Sequence, residues 1–129
     1  MSAERDVILS AQYVALTTYR RDGTPVTTPV WAAAEGESLY LFSNAAAGKV
    51  KRLRNSSRAA IAPCTAIGKV TGAQLPAEAF NLASDQMPKV WKLLTKKYGM
   101  AVRLFMAYDR ARALLRMQPS AGIEVRLTP

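Results

Sequence analysis

A chain of 129 residues, half of them hydrophobic, is one domain with ample material for a buried core. Its charge is lopsided, 18 lysines and arginines against 9 acids, and the net charge of +9 favours anionic partners: nucleic acid, an acidic membrane surface, or a phosphorylated or carboxylated ligand. With no histidine and one cysteine, Cys64, the chain has no Ser-His-Asp triad, no Cys-His pair, no histidine-ligated metal and no internal disulfide.

The first stretch, 4–11, predicts a short helix, and its Glu4, Arg5 and Asp6 do not suit a secretory signal. Residues 13–19 read as a strand, with Val14 and Leu16 alternating with Ala15 and Thr17. Arg21-Asp22-Gly23-Thr24 is a hairpin signal, because Asp-Gly accepts the positive φ of a tight turn. Residues 25–34 form the return strand, and Pro29 within it points to an edge, a bulge or a ligand-facing stretch. After the Glu35-Gly36-Glu37 turn, 39–43 makes a third strand, so that the three form a meander. A helix over 46–55 follows, then a fourth strand over 58–65 and a possible fifth over 73–82, interrupted by Pro76. Ser84 and Asp85 are candidate caps for an amphipathic helix over 85–98, with Pro88 in its first turn and Gly99 as its stop. Helical spacing resumes over 100–115, and Ile123, Val125 and Leu127 alternate in a closing strand. Strands followed by a helical insertion and a last strand imply an antiparallel, mainly β barrel with helices packed outside it, in a single domain spanning 1–129.

The helix over 46–55 opens the densest basic stretch. Lys49, Lys51, Arg52, Arg54 and Arg58 fall within ten positions, and no carboxylate occurs between Glu37 and Glu78. On a helical wheel Ala46, Val50 and Leu53 share the apolar face, while Lys51, Arg52 and Asn55 point away from it. Lys49 then lies in the first or second turn, where a cation opposes the helix dipole. That placement is most easily tolerated where an anion binds both the ammonium and the free backbone amides. A solvated basic face is the alternative. The nine acids are scattered and make no convincing metal cluster, so any chemistry belongs to a bound cofactor.

Four segments stand in order: Arg21-Asp22-Gly23-Thr24-Pro25-Val26, Thr28-Pro29-Val30-Trp31, Gly48-Lys49-Val50-Lys51-Arg52-Leu53-Arg54-Asn55, and Arg58 through Ala62-Pro63-Cys64. Together they resemble the split β-barrel of the pyridoxamine 5′-phosphate oxidase-like flavoproteins. Within that family the chain is most similar to the actinobacterial branch that uses coenzyme F-420, an 8-hydroxy-5-deazaflavin. The resemblance implies cofactor phosphate at the helix start, against Lys49 and the amides near Ala47 and Gly48. It places the ring along Thr28, Pro29 and Val30 and along 41–44, which includes Ser43 and Asn44. It also implies counter-charges for an acidic oligoglutamyl tail from Lys51, Arg52, Arg54 or Arg58. FMN is the alternative cofactor, but its oxidases begin this helix with Ser-Arg-Lys where this chain has Ala47, Gly48 and Lys49.

The implied activity is hydride transfer from the reduced deazaflavin to an unsaturated or quinone-like small molecule, with no catalytic side chain required. A flavin reductase or oxidase, a non-catalytic coenzyme carrier, and a basic nucleic-acid-binding barrel are the competing functions. A homodimer is expected, with small residues over 59–62 and the bulky Trp31 at a two-fold contact. Cytoplasmic localisation without membrane insertion fits the lone cysteine and the lack of a spanning apolar run.

Overall fold

The computed structural model describes residues 3–44, 47–115 and 120–128. Helix α1 is Ala3–Ser10, and strands β1 (Tyr13–Tyr19), β2 (Pro25–Val30), β3 (Ala33–Glu35) and β4 (Ser38–Asn44) follow. Helix α2 (Gly48–Asn55) leads into β5 (Arg58–Cys64) and β6 (Leu75–Asn81). A 3-10 turn (Ser84–Gln86), helix α3 (Met87–Tyr98) and helix α4 (Met100–Leu114) precede the last strand, β7 (Ser120–Leu127). All seven strands form one antiparallel sheet in the order β2-β1-β5-β6-β7-β4-β3, so the expected barrel class is the observed one.

The hairpin forms as its sequence predicts. Gly23 has φ 90°, and the Thr24 amide donates to Asp22 Oδ1 at 2.9 Å. The expected meander does not form. The stretch read as one return strand breaks at Trp31-Ala32, and its two parts join opposite edges of the sheet: β2 pairs with β1, and β3 pairs with β4. Two residues therefore link the first and last strands of a seven-stranded sheet. The sheet must curl until its edges nearly meet, which makes a barrel split along one side. Pro29 stands on the β2 edge, where a missing amide donor breaks no ladder.

Alternation along each strand places Val14, Leu16, Leu39, Leu41, Ile61 and Val125 in one interior cluster. Ile8 of α1 and Val50 and Leu53 of α2 join that cluster, so these two helices, packed around the sheet as expected, cover its core. On the convex side α3 covers β4 and β7, burying Val90, Trp91 and Leu94 against Tyr40 and Phe42. Gly122 makes that approach possible. A Cβ there would lie 2.9 Å from Met87 Sδ and 3.2 Å from Val90 Cγ2.

The break at Trp31-Ala32 exposes backbone groups that no strand satisfies, and α3 supplies the missing partners. The Ala32 amide donates to Tyr98 Oη at 3.1 Å, and that hydroxyl lies 2.9 Å from Ala32 O and 2.7 Å from Gln12 O. Lys97 Nζ donates to Ala11 O and Ala32 O, both at 2.6 Å. Trp31 is stacked on Tyr98 with ring centroids 5.0 Å apart, and meets Phe105 edge-on at 5.3 Å. Burial raises the Tyr98 phenol above its ordinary pKa and lowers that of Lys97, so the phenol keeps its proton at neutral pH.

Tyr98→Phe keeps the ring stack but leaves the buried Ala32 amide without an acceptor. It should cost about 1–3 kcal/mol of stability. Urea denaturation followed by circular dichroism measures this, and an unchanged midpoint would show that the phenol does not hold the break.

Candidate functional site

The split has two lips. One is β2, whose Thr28 and Val30 pair with Leu16 and Val14 and so face the concave side, while Pro29 faces outward and is exposed. The other is the end of β4: β3 pairs only with 38–40, and the edge of 41–44 beyond it carries no partner strand among the described residues. The two segments expected to flank a ring system thus border one opening, although they are five places apart in strand order. Along β4, Leu41 is fully buried in the core and Ser43 shares its face.

Helix α2 reaches from one side of this opening to the other. It starts two residues later than expected, at Gly48, and Ala46 lies outside the described residues. Ala47 is the N-cap, with extended backbone and no capping side chain. Its carbonyl accepts from the Val50 and Lys51 amides, while the Gly48 and Lys49 amides have no acceptor among the described residues. Lys49 does not project into solvent; its Nζ turns back to Ser43 Oγ on β4 at 3.4 Å. Lys51 and Arg54 are exposed, as a solvated face requires.

Arg52 departs from the helical wheel. It is half-buried, and its Nε donates to Thr18 Oγ1 on β1 at 2.6 Å. Its guanidinium lies over Gly48: a Cβ at that position would be 2.6 Å from Arg52 Nη1. Glycine at 48 therefore makes room for an arginine supplied one turn later. Arg52 thus brings a positive charge to position 48, where the sequence itself has none.

The cations continue past Arg52. Burial, and then the charge of Arg20, lower the Arg52 pKa; burial, and then the charge of Arg52, lower that of Lys49. Beyond them lies a cleft of about 320 Å³ lined by Arg20, Arg21, Asn55 and Arg58. There Arg21 Nη2 donates to Asn55 Oδ1 at 3.3 Å, and Arg58 sits 3.9 Å from the centre of the Tyr19 ring. None of these cations pairs with a carboxylate among the described residues. Arg20 was not singled out in the sequence, and Arg21 only as part of the turn. Their place at the tip of a hairpin that folds beside α2 is the missing signal.

Like charges held together without counter-ions fit an anionic ligand, and free amides beside a half-buried lysine fit a phosphate group. No group of three or more metal-ligating side chains occurs among the described residues. Cys64 is buried, and burial raises its thiol pKa, which makes it a packing residue rather than a nucleophile.

A family model described as pyridoxamine 5′-phosphate oxidase matches residues 2–126. The chain belongs to that family. No curated protein matches the sequence. Among solved structures, an F-420 reductase superposes over 100% of this chain and 96% of its own, with TM-score 0.62 and 18% identity. A FAD-binding protein of Mesorhizobium loti covers 100% of this chain and 91% of its own, with TM-score 0.64 and 18% identity. HutZ, the heme storage protein of Vibrio cholerae, covers 97% and 87%, with TM-score 0.68 and 11% identity. At these identities the likeness establishes the shared fold.

The depressed Lys49 has a pH signature. The unfolded chain binds this proton more tightly than the folded one, so protonated Lys49 opposes folding. That opposition fades, and stability rises, as pH climbs through the depressed value towards the ordinary 10.5. An anion at the ammonium offsets the same cost. Phosphate affinity should therefore fall as pH rises through the lowered Lys49 pKa, and Lys49→Arg should hold its affinity over that range. Calorimetric titration of pyrophosphate at stepped pH tests this; a flat profile in the native chain would remove Lys49 from the site.

Proposed function

We propose that this protein is a deazaflavin-dependent reductase, which binds coenzyme F-420 and passes its hydride to an unsaturated or quinone-like small molecule. One observation carries the reading: the cations Lys49, Arg52 and Arg20 form a run without counter-charge among the described residues, which extends from the α2 amides into the Arg21–Arg58 cleft. One phosphate needs only the first part of that run. A phosphate followed by an acidic tail uses all of it.

When bound, the reduced coenzyme supplies the hydride, and the chain supplies position. The amides of Gly48 and Lys49, with the Lys49 ammonium, would hold the phosphate, and Arg52 would close over it from Thr18. Thr28, Val30 and Ser43 border the opening in which a ring would lie, and the buried Leu41, Leu16 and Val14 keep water from its inner side. With no histidine and no metal-binding cluster among the described residues, the reaction draws on orientation rather than on side-chain acid–base steps.

FMN is the second reading, favoured by Arg52 restoring the charge absent at position 48. Fluorescence-quench titrations with the tailed coenzyme and with FMN separate the two. The tailed coenzyme should bind tighter, and Arg20→Gln with Arg21→Gln should weaken it while leaving FMN unchanged. Lys49→Ala should weaken both by about one to two orders of magnitude. Equal or tighter binding of FMN would defeat the deazaflavin assignment. Nucleic acid is disfavoured, because Trp31, Phe42 and Trp91 are engaged in the internal cluster and form no stacking platform on the cationic surface.

We also infer a two-fold homodimer, through a patch that differs from the expected one. Ala59 and Ile61 face the core, Ala60 and Ala62 are buried within one chain, and Trp31 is packed on Tyr98. The exposed apolar residues near β2 are Ile67, 90% exposed, and Val70, on a segment that passes within reach of Pro29. Sedimentation equilibrium at low micromolar concentration should give a dimer, and Ile67→Glu a monomer. A native monomer that binds coenzyme fully would place the whole site within one chain.

A further inference from the structure

Helix α4 is built the wrong way round for a helix facing water. At 100° per residue, Val102 and Met106 fall on its inner side, and both pack against α3. Met100, Leu104, Ala107, Tyr108 and Ala111 fall on the opposite half, joined by Leu114. Leu104 is 66% exposed and Leu114 85%, and no charged residue stands within the arc that runs from Leu114 round to Tyr108. The one acid of the helix, Asp109, is turned inward, where Oδ1 accepts the Ser120 amide at 2.7 Å.

The charges lie at the margins of this apolar half, and all are positive. Arg112 borders one side, with its guanidinium 5.7 Å from the Tyr108 ring. Arg103 and Arg110 border the other, where α4 faces α3 across a cleft of about 720 Å³. Trp91 and Met106 line this cleft, and Lys92 and Lys96 stand along its α3 wall. None of these four cleft cations forms an ion pair among the described residues.

Two properties select what covers this face. It is open and apolar at its centre, with an open hollow of about 270 Å³ at Leu104, Phe105 and Tyr108, and cations stand along its margins. Its charges have one sign, so a second copy placed on it by a two-fold axis would bring cations against cations. A planar anionic surface with an apolar layer beneath satisfies both. No described helix is long and apolar enough to cross a membrane, so contact of this kind is superficial. We propose that α4 docks the protein on an anionic phospholipid surface. Its apolar half lies at the acyl boundary, and Arg103, Arg110, Lys92 and Lys96 face lipid phosphates. The residues of this surface are different from those of the phosphate site at α2 and of the Ile67 patch.

Flotation of the full chain with vesicles tests this, using phosphatidylglycerol mixed with phosphatidylcholine against phosphatidylcholine alone. The chain should float with the anionic vesicles, and less as salt is raised. Leu104→Gln with Leu114→Gln changes no charge and should cut the bound fraction at least several-fold. Arg103→Gln with Arg110→Gln should lower affinity about tenfold or more, and Lys51→Gln with Lys69→Gln, equal in charge and distant from α4, should have a much smaller effect. All three pairs alter exposed positions, and circular dichroism should show each folded. Failure to float, equal flotation with neutral vesicles, or equal loss from both arginine and lysine pairs would overturn the proposal. So would conversion of a dimer to a monomer by the leucine pair, which would make a second copy the occupant of this face.

Discussion

Everything in this molecule depends on the two residues that join opposite edges of its sheet. Trp31 and Ala32 cannot span an open seven-stranded sheet, so their shortness forces the curl. The curl creates the interior that Val14, Leu39 and Ile61 fill, and it creates the split. A chain that leaves one edge for the other also strands its own amide and carbonyl groups. The Tyr98 phenol and the Lys97 ammonium satisfy them from a helix more than sixty residues away in sequence. The helical insertion therefore belongs to the barrel's closure, because without it the break would be a hole lined with unpaired backbone.

The same split explains why the cations gather where they do. Helix α2 covers the core with Val50 and Leu53 by lying across the opening. Its first turn then meets β4 and its middle meets β1, and Lys49 and Arg52 are held between these strands. Burial loosens the hold of both on their protons, the charge of Arg20 adds to this at Arg52 and that of Arg52 at Lys49, and no acid among the described residues relieves them. Charge concentrated against burial is a cost to the fold. It persists in sites whose ligand brings the opposite charge.

Strands and hairpin were legible because their signals are local. Alternation of Val14 and Leu16, the Asp22-Gly23 turn, Pro29 as an edge mark and Gly99 as a helix stop each depend on a few neighbouring residues, and each appears where expected. The basic helix and its Lys49 were legible for the same reason, as was the family, which rests on the order of several short segments. The return strand was misread because a strand's pattern says which face is apolar, not which edge it joins. Trp31 and Ala32 continue the β pattern in sequence while the chain changes partners in space.

The sequence by itself determined the class of fold, the positions of most elements, the excess of cations and the absence of histidine chemistry, all of which depend on residue type and short-range spacing. Only the tertiary structure decided which cations act together. Arg20 and Arg52 are 32 positions apart, and their proximity depends on a hairpin tip folding beside a helix. The structure alone showed that Arg52 occupies the space a side chain at Gly48 would need, reversing its outward place on the wheel. It alone showed which side of α4 is covered. A periodic apolar pattern has two sides when the residues between are also apolar, and only packing against α3 selects Val102 and Met106 for the inside and leaves Leu104 and Leu114 in the open.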